Sequence, residues 1–136
     1  MRNVTPAVVA CICAALLASC GNNKLGDVQA DALAKLSKQL PTPYRDGLIT
    51  ESAHKQANDI VLVVRFADAT VAMAKAKPEV FEALRLDEHQ AITELCQDPV
   101  LRPLHDAGGG VTRRFVDAND AVFFEATLKA SDCIPH

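Results

Sequence analysis

Tryptophan is absent from the 136 residues, tyrosine occurs once, and aromatics make up only 4% of the chain. That argues against a surface that recognises bases or sugars by stacking. Positive charge is also scarce: 14 Lys plus Arg stand against 17 Asp plus Glu, a net charge of −3. Nucleic-acid binders present a basic face, so no nucleic-acid partner is expected. Metal-ligand spacings such as HExxH and CxxC are missing, and with them the usual zinc sites. His54, His89, His105 and His136 are spread out and read as surface residues. Glu88 and His89 are adjacent, so on a helix they point to different sides. There is no GxSxG, no P-loop and no GxGxxG. Gly108–Gly110 lacks a following Lys-Ser/Thr and runs into a strand pattern. The expectation is therefore no enzyme, no metal and no cofactor. No internal repeat or low-complexity stretch is present, and the length fits one domain.

What the sequence does hold is an apolar reserve, 49% hydrophobic, enough for a core. Part of it sits in a leader. Arg2 is followed by an uncharged run from Ala7 to Ala18, and the segment closes on Leu17-Ala18-Ser19-Cys20. A positive start and an apolar run of about 7–15 residues mark a secretory signal. The run falls short of the roughly 20 residues that a membrane-spanning helix needs. The closing four residues resemble the bacterial lipobox, with cleavage between Ser19 and Cys20 and acyl chains on the Cys20 sulfur. An ordinary signal peptide that ends on cysteine is the alternative. On the lipobox reading, residues 1–19 are removed, 20–26 form a lipidated tether, and 27–136 form a single α+β domain. The mature chain would have 117 residues and a net charge of −4, since Arg2 is the only charge lost. Each buried CH₂ adds about 0.8 kcal/mol of membrane affinity, so several acyl chains anchor a protein firmly. Gly21, not Asp, follows Cys20, which leans toward the outer membrane, facing the periplasm.

Two cysteines remain for the folded part, Cys96 and Cys133. An exported compartment is oxidising, and an even pair there reads as a disulfide. A redox or metal pair is the alternative, without CxxC spacing to support it. Closing a loop of about 38 residues would stabilise by roughly 4 kcal/mol in the chain-entropy model.

Asp27 is a candidate N-cap, and Val28, Leu33, Leu36 and Leu40 recur at helical spacing, so a helix is expected over 27–39, ended by Pro41 and Pro43. Gly47–His54 alternates weakly. Ile60–Phe66 (IVLVVRF) is β-branched and nearly all apolar, the mark of a central strand. The segment 67–77 is ambiguous. Pro78 suits a helix start, and a helix is expected over most of 78–96, with room for a break near 85–87. Asp98 and Pro99 open a short helix, which Pro103 should keep to little more than a turn. Val111–Val116 and Ala121–Leu128 form a hairpin. The expected fold is thus an α+β sandwich. It has an antiparallel sheet of about four strands in two hairpins, in the order αββααββ, with helices packed on it. Arg113 and Arg114 are neighbours on a strand, so they face opposite sides. Either one meets solvent while the other snorkels over the sheet edge or pairs with a carboxylate, or they contact a partner. The stripe Val80, Phe81 and Leu84 is either core or, with Leu36, one wall of a partner groove. Such a groove would take an amphipathic helix on its apolar face.

Several short motifs recur in one family. Leu40-Pro41 and Gly47-Leu48-Ile49-Thr50 precede a strand introduced by Ala57-Asn58. Leu95-Cys96-Gln97-Asp98-Pro99 and Leu101-Arg102 follow, then a glycine-led hairpin and Asp132-Cys133. Over most of Asp27–Cys133 the chain resembles the small α/β type II secretion pilotins of Vibrio type. The resemblance implies lipid on Cys20 and a Cys96–Cys133 disulfide. It also implies a binding module that escorts a secretin subunit to the outer membrane by holding its C-terminal helix. Two other roles fit a small envelope lipoprotein: an immunity or inhibitor protein that neutralises a periplasmic enzyme, or a structural component with no dedicated client.

Overall fold

The computed structural model describes residues 20–133. The leader, its junction at Ser19 and the last His lie outside them.

Helix α1 spans Cys20–Gln39. It begins seven residues before the expected cap at Asp27, so the stretch read as a tether is helical backbone. The reason is a stripe longer than the one first recognised. Leu25, Val28, Ala32, Leu36 and Leu40 follow one another at spacings of three or four, and all pack on the main core. Leu25 draws the chain into that core before Asp27 is reached. Pro41 then ends the helix, since proline cannot donate the next backbone bond.

Five strands follow the order β1-β2-β3-β4-β5 across one sheet: β1 Thr42–Pro43, β2 Ile49–Gln56, β3 Asp59–Arg65, β4 Val111–Val116 and β5 Val122–Leu128. The two expected hairpins, β2–β3 and β4–β5, are both present and antiparallel, and β3 is central. Two features correct the expected sheet. There are five strands, because Thr42–Pro43 adds a short edge pairing with Ile49 and Thr50. Proline is tolerated there because an edge strand has one side with no bond to make. The sheet is also mixed, because β3 and β4 run parallel, in register from Ile60↔Val111 to Arg65↔Val116. The 45 residues between them contain, among the described residues, every α-helix after α1, which is the long crossover that parallel strands need.

That crossover holds α2 Val71–Ala76, α3 Pro78–Ala91, a 3₁₀ turn over Ile92–Gln97, and α4 Arg102–Asp106. Thr70 caps α2, its hydroxyl accepting the Met73 N–H at 3.2 Å. No break occurs near 85–87. Pro103 lies in the first turn of α4, where proline starts a helix rather than stopping it. The Asp98 carboxylate accepts the Val100 N–H at 2.8 Å and so shapes the approach to α4. Cys96 and Cys133 are disulfide-bonded, joining the 3₁₀ turn to the segment after β5.

The main core lies between the sheet and α1, the 3₁₀ turn and α4, with Ile60, Ile92, Leu101, Leu104, Val111 and Leu128 essentially inaccessible to water. A smaller core of Leu48, Val64 and Phe115 carries Tyr44, Phe66, Phe123 and Phe124 around it. Residues two apart on a strand share a face. Val111, Arg113 and Phe115 therefore form one row, with an arginine standing between the two cores.

Candidate functional site

Arg113 is only 5% exposed, and a charge so placed needs partners. Its guanidinium donates to Glu94 at 2.8 Å and lies 3.9 Å from Glu88. Glu88 is fully buried on α3. It accepts the Tyr44 hydroxyl at 2.8 Å and stands 3.6 Å from Arg45. The Tyr44 ring lies against two guanidinium groups, Arg45 at 4.9 Å and Arg113 at 4.7 Å from its centroid. Burial and the hydrogen bond to Glu88 push the Tyr44 phenol up to about 12. Arg114, on the other face, pairs with Glu125 at 2.9 Å and donates to Gln56. Both arginines thus find carboxylate partners within the chain, although Arg113 Nη1 and Glu88 Oε1 make no hydrogen bond. This cluster locks α3 to β4 and to the loop before β2.

A second network fixes the far end of the sheet. The Asp117 carboxylate accepts N–H bonds from Asn119 at 2.7 Å, Ala121 at 2.9 Å and Val71 at 3.1 Å. Burial pushes this carboxyl up, but those three N–H groups and the charge of Arg65 outweigh it, so its pKa is lowered. Arg65 also bridges Glu51 at 2.7 Å and Asp120, and donates to the Asp117 carbonyl at 2.6 Å. The β4–β5 turn and the start of α2 are held in place this way.

Between α2, α3 and the start of β5 there opens an apolar groove of about 310 Å³. Val71, Ala74, Pro78, Phe81, Val122 and Phe123 line it, with Lys75, Glu82 and Arg85 completing the walls. Phe81 stacks on Phe123 at 5.1 Å between centroids, and Phe66 supports both. Val122 is 48% exposed at one rim. An apolar floor with a charged margin suits the apolar face of a peptide.

Of the four residues proposed for a partner groove, only Phe81 lies here. Leu36 is buried in the main core, on a different helix, because the extended stripe of α1 faces the sheet. Val80 is exposed and Leu84 half-buried, and neither lines the groove. The wall supplied by β5 escaped the sequence reading. Its one signal is the run Val122-Phe123-Phe124, more apolar than a strand with one solvated face requires. His105 corrects another expectation: it is buried, with Nδ1 3.2 Å from the Gly109 carbonyl oxygen. His54 and His89 are exposed. Among the described residues no three His, Cys, Asp or Glu side chains converge on a common point, and no helix is long and apolar enough to cross a membrane.

No protein-family model matches this sequence, and no curated protein matches it. Solved structures do match the fold. The pilotin EpsS of the Vibrio vulnificus type 2 secretion system superposes with a TM-score of 0.56 at 19% identity, over 85% of this chain and 99% of that one. The type II secretion system pilotin AspS of Vibrio cholerae gives 0.54 at 17% identity, over 82% and 97%. The chain has a pilotin-like fold. A Pseudomonas aeruginosa protein classed provisionally as secreted shares it, with a TM-score of 0.63 at 13% identity, over 85% and 98%. Nearly the whole length of each of these proteins is covered. In this pilotin-like fold the groove lies at the end of the sheet opposite the β2–β3 turn.

Proposed function

We propose that this protein is a lipid-anchored component of the bacterial envelope with a pilotin-like role. It is a binding module, not a catalyst, and carries no cofactor beyond the acyl chains on Cys20. It takes an apolar helical segment of a secretin subunit into the groove beside Phe81 and brings that subunit to the outer membrane. The observation that carries the reading is the match of the whole domain to two pilotins. The lipobox-like Leu17-Ala18-Ser19-Cys20 supports the anchor. The apolar lining of the groove supports the mode of binding.

Deleting the gene and fractionating the envelope tests the role. Secretin multimers should fall in the outer membrane and accumulate in the inner one. Restoring the wild-type gene should correct this, and Phe81→Asp should not, although that protein should be present at normal levels. Normal secretin multimers in the deletion strain would reject the proposal.

A further inference from the structure

The helical backbone at Cys20 has a consequence for how the molecule would stand on a membrane. Only five residue steps separate Cys20 from Leu25, the first side chain seated on the core among the described residues. Even a fully extended chain would span no more than about 18 Å over that distance. As helix, the nine steps from Cys20 to Gln29 rise about 14 Å. Gln29 is itself pinned: its amide donates to the carbonyls of Ala57 at 2.9 Å and Asp59 at 3.2 Å. The α1 start is thereby fixed beside the β2–β3 turn. Gly110 joins the same end, donating its N–H to Asp59 at 2.9 Å, and Leu128, paired with Val111, brings the exit of β5 there too.

The opposite end holds the groove. Strand β3 runs from Asp59 to Arg65, a rise of about 20 Å. The Asp117 network, Val71 and Val122 all lie at its finish. Among the described residues, the large hydrophobic side chains left exposed are Ile49, Met73, Val80, Leu86 and Val122. None belongs to the α1 start, the β2–β3 turn or the glycine loop. That end instead presents Lys24 on α1, Lys55 near the end of β2 and Lys129 just after β5, all exposed and none in an ion pair among the described residues. Asp27 and Asp132 stand near them, so net charge does not drive the contact.

We infer that the end formed by the first turns of α1, the β2–β3 turn and the Gly108–Gly110 loop faces phospholipid headgroups. The groove then points away from the bilayer. The inference rests on the lipid-anchor reading of Cys20. The short, rigid join sets the orientation, and the lysines donate to headgroup phosphates. With no large apolar side chain exposed at that end among the described residues, the domain rests on the headgroup layer and does not enter the acyl region.

The test uses the full lipidated protein in vesicles of phosphatidylethanolamine and phosphatidylglycerol doped with a headgroup-nitroxide lipid. A fluorophore is placed at Asn58→Cys or at Met73→Cys. Quenching should be several-fold stronger at position 58. Inserting a long Gly-Ser linker between Asn23 and Lys24 should remove most of that difference. Equal quenching at the two positions without the linker overturns the inference while leaving the anchor intact. A protein that does not join the vesicles overturns the anchor reading and the inference with it. The pair His54→Cys and Val80→Cys gives the same comparison if either first variant misfolds.

Discussion

Replacing Arg113 with methionine isolates the energetics of the buried ion cluster. Met fills a similar volume and keeps the row Val111, residue 113, Phe115 apolar, so packing changes little. The electrostatic change is large. Glu88, with a side chain 1% exposed, would keep the Tyr44 hydroxyl and Arg45 at 3.6 Å but lose the guanidinium beneath it. Removing one partner of a buried pair costs about 3–5 kcal/mol, because a charge is left without compensation. Glu94 contributes little to that cost, being 53% exposed and free to turn to water. With a urea slope of about 1–3 kcal/mol per molar, the unfolding midpoint should fall by roughly 2 M. The double variant Arg113→Met with Glu88→Leu should recover most of the loss, since an apolar pair of similar volume is often neutral or stabilising. Chemical denaturation of the two single variants and the double gives the coupling directly. If Arg113→Met costs less than about 1 kcal/mol, or if the double variant loses the sum of the singles, the buried-pair reasoning is refuted.

Tyr44 is the only tyrosine and there is no tryptophan, so near-ultraviolet absorbance follows a single phenol. It should ionise near 12 instead of 10.0 in the folded protein. The stability this contributes is complete below pH 10 and is lost as pH rises through about 12; Glu88→Gln should bring the transition down toward 10. The lowered Asp117 carboxyl works in the opposite direction. Its contribution is present above the unfolded value of 3.8 and is lost as pH falls through the folded one. Asp117→Ala should speed hydrogen exchange at the Val71, Asn119 and Ala121 amides, and unchanged exchange there would contradict the role assigned to this carboxylate.

Elements whose signal is local were readable before folding was considered. Ile60–Phe66 announced a central strand because an almost unbroken β-branched run leaves no polar face. Pro78 marked the start of α3 through its fixed φ. The two hairpins followed from short turns between strands, and the Cys96–Cys133 bond from compartment and parity. What stayed hidden depends on partners distant in the chain. A parallel pairing of β3 with β4 leaves no mark at either strand, and β1 is two residues that look like a helix stop. Leu25 carries no separate mark, because Gly26 and Asp27 look like the end of a tether, although the same stripe runs through it. The groove was half legible. Phe81 stood out on its helix, while Val122 and Phe123 matter only because tertiary packing brings β5 alongside α2 and α3.

The parallel register at the centre of the sheet bears on how the newly made chain reaches its shape. Each hairpin closes over a short turn, an event of about 1–10 μs. Joining them requires Ile60 to find Val111 although a 45-residue crossover separates their strands, and such long-range pairings are what slow a chain's folding. Until that seam zips, the most apolar strand of the protein has one edge bare. The nascent domain is therefore most open to clumping with its neighbours in the interval between local closure and the meeting of its two halves.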